Sequence, residues 1–171
     1  MVQMTDGFNW YALYVKSRYE FVTRDELRRK EIEAYLPSVR RMSQWKDRKK
    51  SIEFPLFPGY LFVFVQGSLE AFTTVLKTRG AVNLLSSQPG RPALVPSEEI
   101  DSLKLLVESG SNYEIYPNLQ IGKRVRVVRG PLSGAIGTIV NKEEPYMFLV
   151  NIDILGRSVG VRVFADDIEA E

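Results

Sequence analysis

The 171-residue chain has no cysteine and no histidine. The first absence excludes disulfides and thiolate metal sites; the second removes the commonest metal ligand and general base. The carboxylates, lysines, tyrosines and serines that remain form no recognisable catalytic constellation, so neither an enzyme nor a bound cofactor or metal is expected. No apolar run is long enough to span a bilayer, and Met1 to Phe8 lacks the charged head and apolar core of a signal peptide, which points to a cytoplasmic protein. Excess charge is scarce overall, at +2, but unevenly spread. From Lys16 to Lys50 there are twelve Lys/Arg against six Asp/Glu, a net +6, leaving −4 for the remainder. Such a segment suits a polyanion-facing patch, with an ordinary solvated face as the plain alternative.

The densest apolar run is Leu56-Phe57-Pro58-Gly59-Tyr60-Leu61-Phe62-Val63-Phe64-Val65. Alternation places Tyr60, Phe62 and Phe64 on one face and Leu61, Val63 and Val65 on the other, so a buried central strand needing cover on both faces is expected. Pro58-Gly59 reads as a turn at its mouth. Asn9 to Val15 reads as a first strand, also apolar on both faces. Tyr19 to about Ala34 has helical composition, with Asp25/Arg29 and Glu26/Lys30 at i,i+4 and an apolar stripe through Phe21, Val22, Leu27 and Ile32. Val39 to Trp45 and Ser51 to Phe54 flank Lys46-Asp47-Arg48-Lys49-Lys50 and predict a projecting hairpin with a basic tip. Ser68 caps a short helix with Leu69, Phe72 and Leu76 on its expected buried face, ending by Gly80. Ala81 to Leu85 follows as a strand, and Ser97 opens a third helix carrying Ile100, Leu103 and Val107.

Composition then changes. Glu108 to Asn118 reads as a linker between domains, 8–107 on one side and 119–171 on the other. Beyond it, Arg124 to Arg129, Gly137 to Asn141, Met147 to Ile152 and Ser158 to Phe164 are short β-rich runs separated by Gly, Pro and Ser turns, which predicts a small β-barrel. The expected class is α+β: an α/β sandwich on a mainly antiparallel sheet, a flexible linker, and an SH3-like barrel.

The stretch from Gly122 to Val140 (GKRVRVVRGPLSGAIGTIV) resembles the KOW motif of transcription elongation factors and some ribosomal proteins. With Trp10-Tyr11-Ala12-Leu13-Tyr14-Val15 and Pro55-Leu56-Phe57-Pro58-Gly59-Tyr60-Leu61-Phe62-Val63 it resembles the NusG/Spt family, an NGN domain followed by a KOW domain, over about Asn9 to Glu169. Those segments and Thr78-Arg79-Gly80 are most similar to the specialised RfaH/UpxY-type antiterminators of polysaccharide operons. Unlike RfaH, the C-terminal segment keeps its Gly-Pro and β-branched pattern, so it is expected to stay β.

The resemblance implies a monomeric factor whose NGN domain docks on the clamp helices of the RNA polymerase largest subunit through Tyr14, Phe57, Tyr60, Phe62 and Leu84. It also implies contact with the non-template DNA strand through Lys16, Arg18, Arg29, Thr78 and Arg79. The KOW domain would take a ribosomal protein or a termination factor through Ile152, Ile154 and Leu155. Ordinary core packing is the competing reading for each aromatic, and a helix-surface ion pair with Asp25 for Arg29. A general NusG-type factor and a ribosome-associated KOW protein remain as alternatives. The second is disfavoured because the +6 segment lies in the first domain rather than in the barrel.

Overall fold

The structure, a computed structural model, describes residues 5–110, 113–117 and 122–171. The chain forms two compact units, one ending at Leu94 and one running from Val95 to Glu171.

The first unit runs β1 (Thr5–Val15), α1 (Glu20–Arg29), β2 (Glu33–Tyr35), β3 (Ser38–Trp45), β4 (Arg48–Pro55), β5 (Tyr60–Gly67), α2 (Leu69–Leu76), β6 (Ala81–Leu84), β7 (Ser86–Gln88), β8 (Arg91–Pro92) and β9 (Leu94–Val95). Its main sheet has the order β2-β5-β1-β6, with β9 also pairing β1. The expected central strand is therefore interior, antiparallel to β1 on one side and to β2 on the other. Leu13 opposite Leu61 and Tyr11 opposite Val63 set the register. They turn Tyr11, Leu13, Val15, Leu61, Val63 and Val65 to one face, where Leu27 of α1 and Phe72 and Val75 of α2 complete a core. Each such side chain contributes about 1.5–3 kcal/mol on leaving water. A one-residue slip would exchange this set for the opposite face, so the register is strongly specified.

The opposite face carries Trp10, Ala12, Tyr14, Tyr60, Phe62 and Phe64. Its rings associate in pairs: Trp10 with Phe64 at 5.2 Å between centroids, Tyr35 with Phe62 at 6.4 Å, and Tyr14 with Tyr60 at 5.4 Å.

Helix α1 stops well short of Ala34. Glu31 adopts φ 60°. The Ile32 amide then donates to the Leu27 carbonyl (3.0 Å) and the Glu31 amide to that of Arg28 (3.0 Å). This is a Schellman closure with glutamate where glycine is usual, and it frees Glu33–Tyr35 to become a strand. Its buried positions are Glu20, Thr23 and Leu27, whereas Val22 of the expected stripe is exposed. In α2, Ser68 accepts from the Ala71 amide as anticipated (3.2 Å), but the buried pair is Phe72 and Val75. Leu69 (63% exposed) and Leu76 face water, because an eight-residue helix presents only two turns to the sheet. The predicted hairpin is a separate two-stranded sheet, β3 with β4, whose base is closed by the Leu56 amide donating to the Pro37 carbonyl (2.7 Å).

The second unit contains α3 (Ser97–Glu108), β10 (Glu114–Pro117), β11 (Lys123–Val127), β12 (Ile136–Ile139), β13 (Tyr146–Ile152), β14 (Arg157–Val163) and β15 (Ile168–Ala170). Its antiparallel sheet has the order β10-β14-β13-β12-β11-β15. The C-terminal segment is thus β, as its pattern predicts. Gly137 sits where a Cβ would strike the Leu149 carbonyl and the Phe148 ring, so side-chain absence there lets β12 and β13 approach. Of the linker segment, 111–112 and 118 lie outside the described residues, while Glu114–Pro117 pair with β14. Helix α3 packs along β12, β13 and β14, and its Ser102 hydroxyl accepts from the Ile136 amide (2.9 Å). Among the described residues no helix is long and apolar enough to cross a membrane.

Candidate functional site

Tyr14 and Tyr60 face each other across β1 and β5 at the end of the strands where β5 begins. Tyr14 is 41% exposed and Tyr60 half-buried, which leaves an aromatic pair open to a partner. The other aromatics of the expected docking set are placed differently: Phe57 and Phe62 have no accessible surface, and Leu84 retains 2%.

Three loops are tied together beside this pair. The Val15 amide donates to the Gly59 carbonyl (2.8 Å), and the Lys16 amide to the Gly80 carbonyl (2.8 Å). The Gly59 amide donates to the buried Glu20 carboxylate (2.9 Å), so the first turn of α1 holds the Pro58-Gly59 turn. The Thr23 hydroxyl donates to the Arg79 carbonyl (2.8 Å), and the Arg79 guanidinium lies 5.8 Å from the centre of the Tyr19 ring. Gly80 at φ 88° has no room for a Cβ, which would collide with Thr23 and Tyr19. Glycine alone permits this approach of the α2–β6 loop to α1.

These bonds bring Lys16, Arg18 and Arg79, all exposed, onto two joined loops next to Tyr14. Two residues of the expected nucleic-acid set do not join them. Arg29 ends α1, about 15 Å along the helix from Tyr19, and pairs with Glu26 (2.8 Å) rather than with Asp25, which pairs with Arg24 (3.1 Å). Thr78 is buried; its hydroxyl donates to the Thr74 carbonyl (3.1 Å) and accepts from Lys30 Nζ (3.0 Å). Glu20 and Thr23 are structural members of this region that sequence reasoning did not single out, and Lys30, expected to pair with Glu26, reaches Thr78 instead while Glu26 pairs with Arg29. The partners of Glu20, Thr23 and Lys30 are 39 to 56 positions away, beyond any local signal.

In the second unit Ile152 is buried within β13, while Ile154 and Leu155 are half-buried on the turn Asp153–Leu155. Glu99 of α3 faces this turn. Burial, and next the negative charge of Asp153, raise its carboxyl from 4.5 to about 7. Its Oε2 is buried without a hydrogen-bond partner among the described residues. Among those residues no group of three or more acidic side chains is arranged to hold a metal ion.

The family model described as transcription termination factor NusG matches residues 8–104, more than half of the chain. The chain belongs to the NusG family. It is 28% identical over 170 residues to the transcription termination/antitermination protein NusG of Lactococcus lactis subsp. lactis, covering 94% of this chain and 91% of that protein. To the NusG of Pasteurella multocida it is 23% identical over 180 residues, covering 99% and 98%. The solved structure "Domain interaction in Thermotoga maritima NusG" aligns with a TM-score of 0.51 at 22% identity, over 95% of this chain and 97% of that one, which supports the NusG fold. The chain is accordingly a NusG-type transcription termination/antitermination factor.

Proposed function

We propose that the protein binds RNA polymerase through its first unit and suppresses pausing or termination, acting by binding energy alone. The observation that carries this reading is the exposed Tyr14–Tyr60 pair beside Lys16, Arg18 and Arg79 in a NusG-family chain. Tyrosine offers large, rigid contact area at low entropic cost, and a few such anchors commonly dominate an interface. Tyr14 and Tyr60 are the outer contacts to the clamp helices of the largest subunit, with buried Phe62 on the same sheet face beneath them, while Leu84 packs in the core on the opposite face. The neighbouring cations neutralise phosphates of the non-template strand, and Arg79 also offers a plane for an extruded base. Arg29, paired with Glu26, and buried Thr78 stand outside this surface. A contact that favours the closed clamp by about 1.4 kcal/mol shifts that equilibrium tenfold.

The specialised RfaH/UpxY-type role, at particular operons such as those for polysaccharides, draws on the segments around Tyr14, Leu56 and Arg79. The general elongation and termination role is favoured instead by the relatives, which carry the NusG name. The second unit takes a ribosomal protein or a termination factor through Ile154 and Leu155, over buried Ile152, and the protein works as a monomer in the cytoplasm.

The test is polymerase capture with Tyr14→Ala/Tyr60→Ala, variants that spare the buried positions. Loss of the two anchors is expected to weaken capture at least tenfold with the fold unchanged by circular dichroism; wild-type capture refutes the docking surface. Transcription through pause and terminator templates with varied non-template sequences separates the roles, since only the specialised one depends on that sequence.

A further inference from the structure

The sheet of the second unit has a recess at the end away from the turn Asp153–Leu155. Tyr146 begins β13 and Ile152 ends it, so the two ends lie about 20 Å apart. The recess is a cleft of about 540 Å³ lined by apolar Val125, Ile139, Val140 and Ile168. That volume falls in the range of ligand sites, about 300–1,000 Å³. Its charged groups are sorted: Lys123 begins β11 and Lys142 follows β12, while Glu169 stands on β15 across from Arg126. All three are exposed and make no ion pair among the described residues. The walls are held in place by bonds of their own. The Asn141 side-chain amide donates to the carbonyls of Glu143 (2.7 Å) and Pro145 (3.2 Å), and its oxygen accepts from the Met147 amide (2.6 Å). The Ala165 amide donates to the Glu144 carboxylate (2.6 Å), which ties the segment after β14 to the loop after β12.

We propose that this cleft is a peptide-binding site for an extended segment of a partner protein that carries an acidic residue, an apolar core and a basic residue. The acidic residue pairs with Lys123 and Lys142, the basic one with Glu169, and the apolar side chains between them cover Val125, Ile139 and Ile168. Charge complementarity selects this occupant. A polyanion such as nucleic acid meets Glu169 in the wall, and a purely apolar segment leaves the charges beside a dried contact without partners. Because residues 141–146 and Ala165 are already fixed to one another, little wall entropy is lost on binding. The site lies at the far end of the sheet from Ile154 and Leu155, so the second unit can hold this segment while that turn stays free.

The experiment selects random dodecapeptides displayed on phage against the full chain, then measures the enriched sequences as labelled peptides by fluorescence anisotropy. Enriched sequences are expected to share an apolar core flanked by an acidic and a basic residue. Lys123→Glu/Lys142→Glu should weaken them at least tenfold, and replacing the acidic residue of the peptide by lysine should restore binding to that variant. Ala170→Trp, which fills the mouth of the cleft from an exposed position, should block binding with the circular dichroism unchanged. Ile154→Ala/Leu155→Ala, at the other end, should change affinity less than twofold. Failure to enrich any sequence, enriched sequences without the flanking charges, full affinity in the lysine variant or in Ala170→Trp, or an equal loss from the turn variant each overturn the proposal.

Discussion

Replacing Glu99 by glutamine isolates one carboxyl between α3 and the turn at Asp153. In the folded state this group holds its proton to about pH 7, against 4.5 in the unfolded chain, because burial and the Asp153 charge both oppose ionisation. Between those values the folded state binds more protons than the unfolded one, so stability falls as pH rises. The contribution is complete below pH 4.5 and lost once pH exceeds about 7. At 1.36 kcal/mol per unit the shift corresponds to about 3 kcal/mol. Partial exposure of Glu99 lets water relieve some of this, leaving on the order of 1–2 kcal/mol. The Ile136 amide, bonded to Ser102 of α3, reports the packing of the helix. Its hydrogen-exchange protection, corrected for intrinsic rate, should fall about 5- to 30-fold from pH 4.5 to 8 in the wild type. Glu99→Gln should be nearly flat and better protected at pH 8. Glu98→Gln, which removes an exposed partner of Arg124 and the least of the causes that raise Glu99, should keep most of the wild-type pH dependence. A wild-type profile in Glu99→Gln, or protection that rises with pH in the wild type, refutes the reasoning.

Two further outcomes test the first unit. Glu20→Ala removes the acceptor for the buried Gly59 amide and should cost about 1–3 kcal/mol in urea unfolding followed by Trp10 fluorescence; a loss below 0.5 kcal/mol would detach Glu20 from the turn. On α2, Phe72→Ala should cost about 3–5 kcal/mol by the same measurement while Leu69→Ala stays within about 0.5, whereas a stripe through Leu69, Phe72 and Leu76 would make both costly.

Much of the architecture was legible because its signals are local. Alternation gave β1 and β5 two apolar faces, Ser68 marked the start of α2, and the glycine- and proline-spaced β runs marked the second unit. The end of α1 was hidden: the residue that turns the chain is Glu31, and nothing in a glutamate announces φ 60°. The candidate site divides in the same way. Aromatic and basic residue types around Tyr14, Pro58-Gly59 and Arg79 could be named from the chain, since their chemistry is a property of the residues themselves. Which of them remain accessible could not.

Residue type and period thus determined the class of the protein, the strand faces, the basic hairpin and the family resemblance. Tertiary packing alone decided that Tyr14 and Tyr60 stay open while Phe57, Phe62 and Leu84 are buried, that α3 counts with the second compact unit, and that Lys16, Arg18 and Arg79 share one edge. The reason is physical: exposure and juxtaposition depend on which distant segments arrive beside a residue, and contacts such as Thr23 with Arg79, 56 positions apart, leave no trace in either neighbourhood.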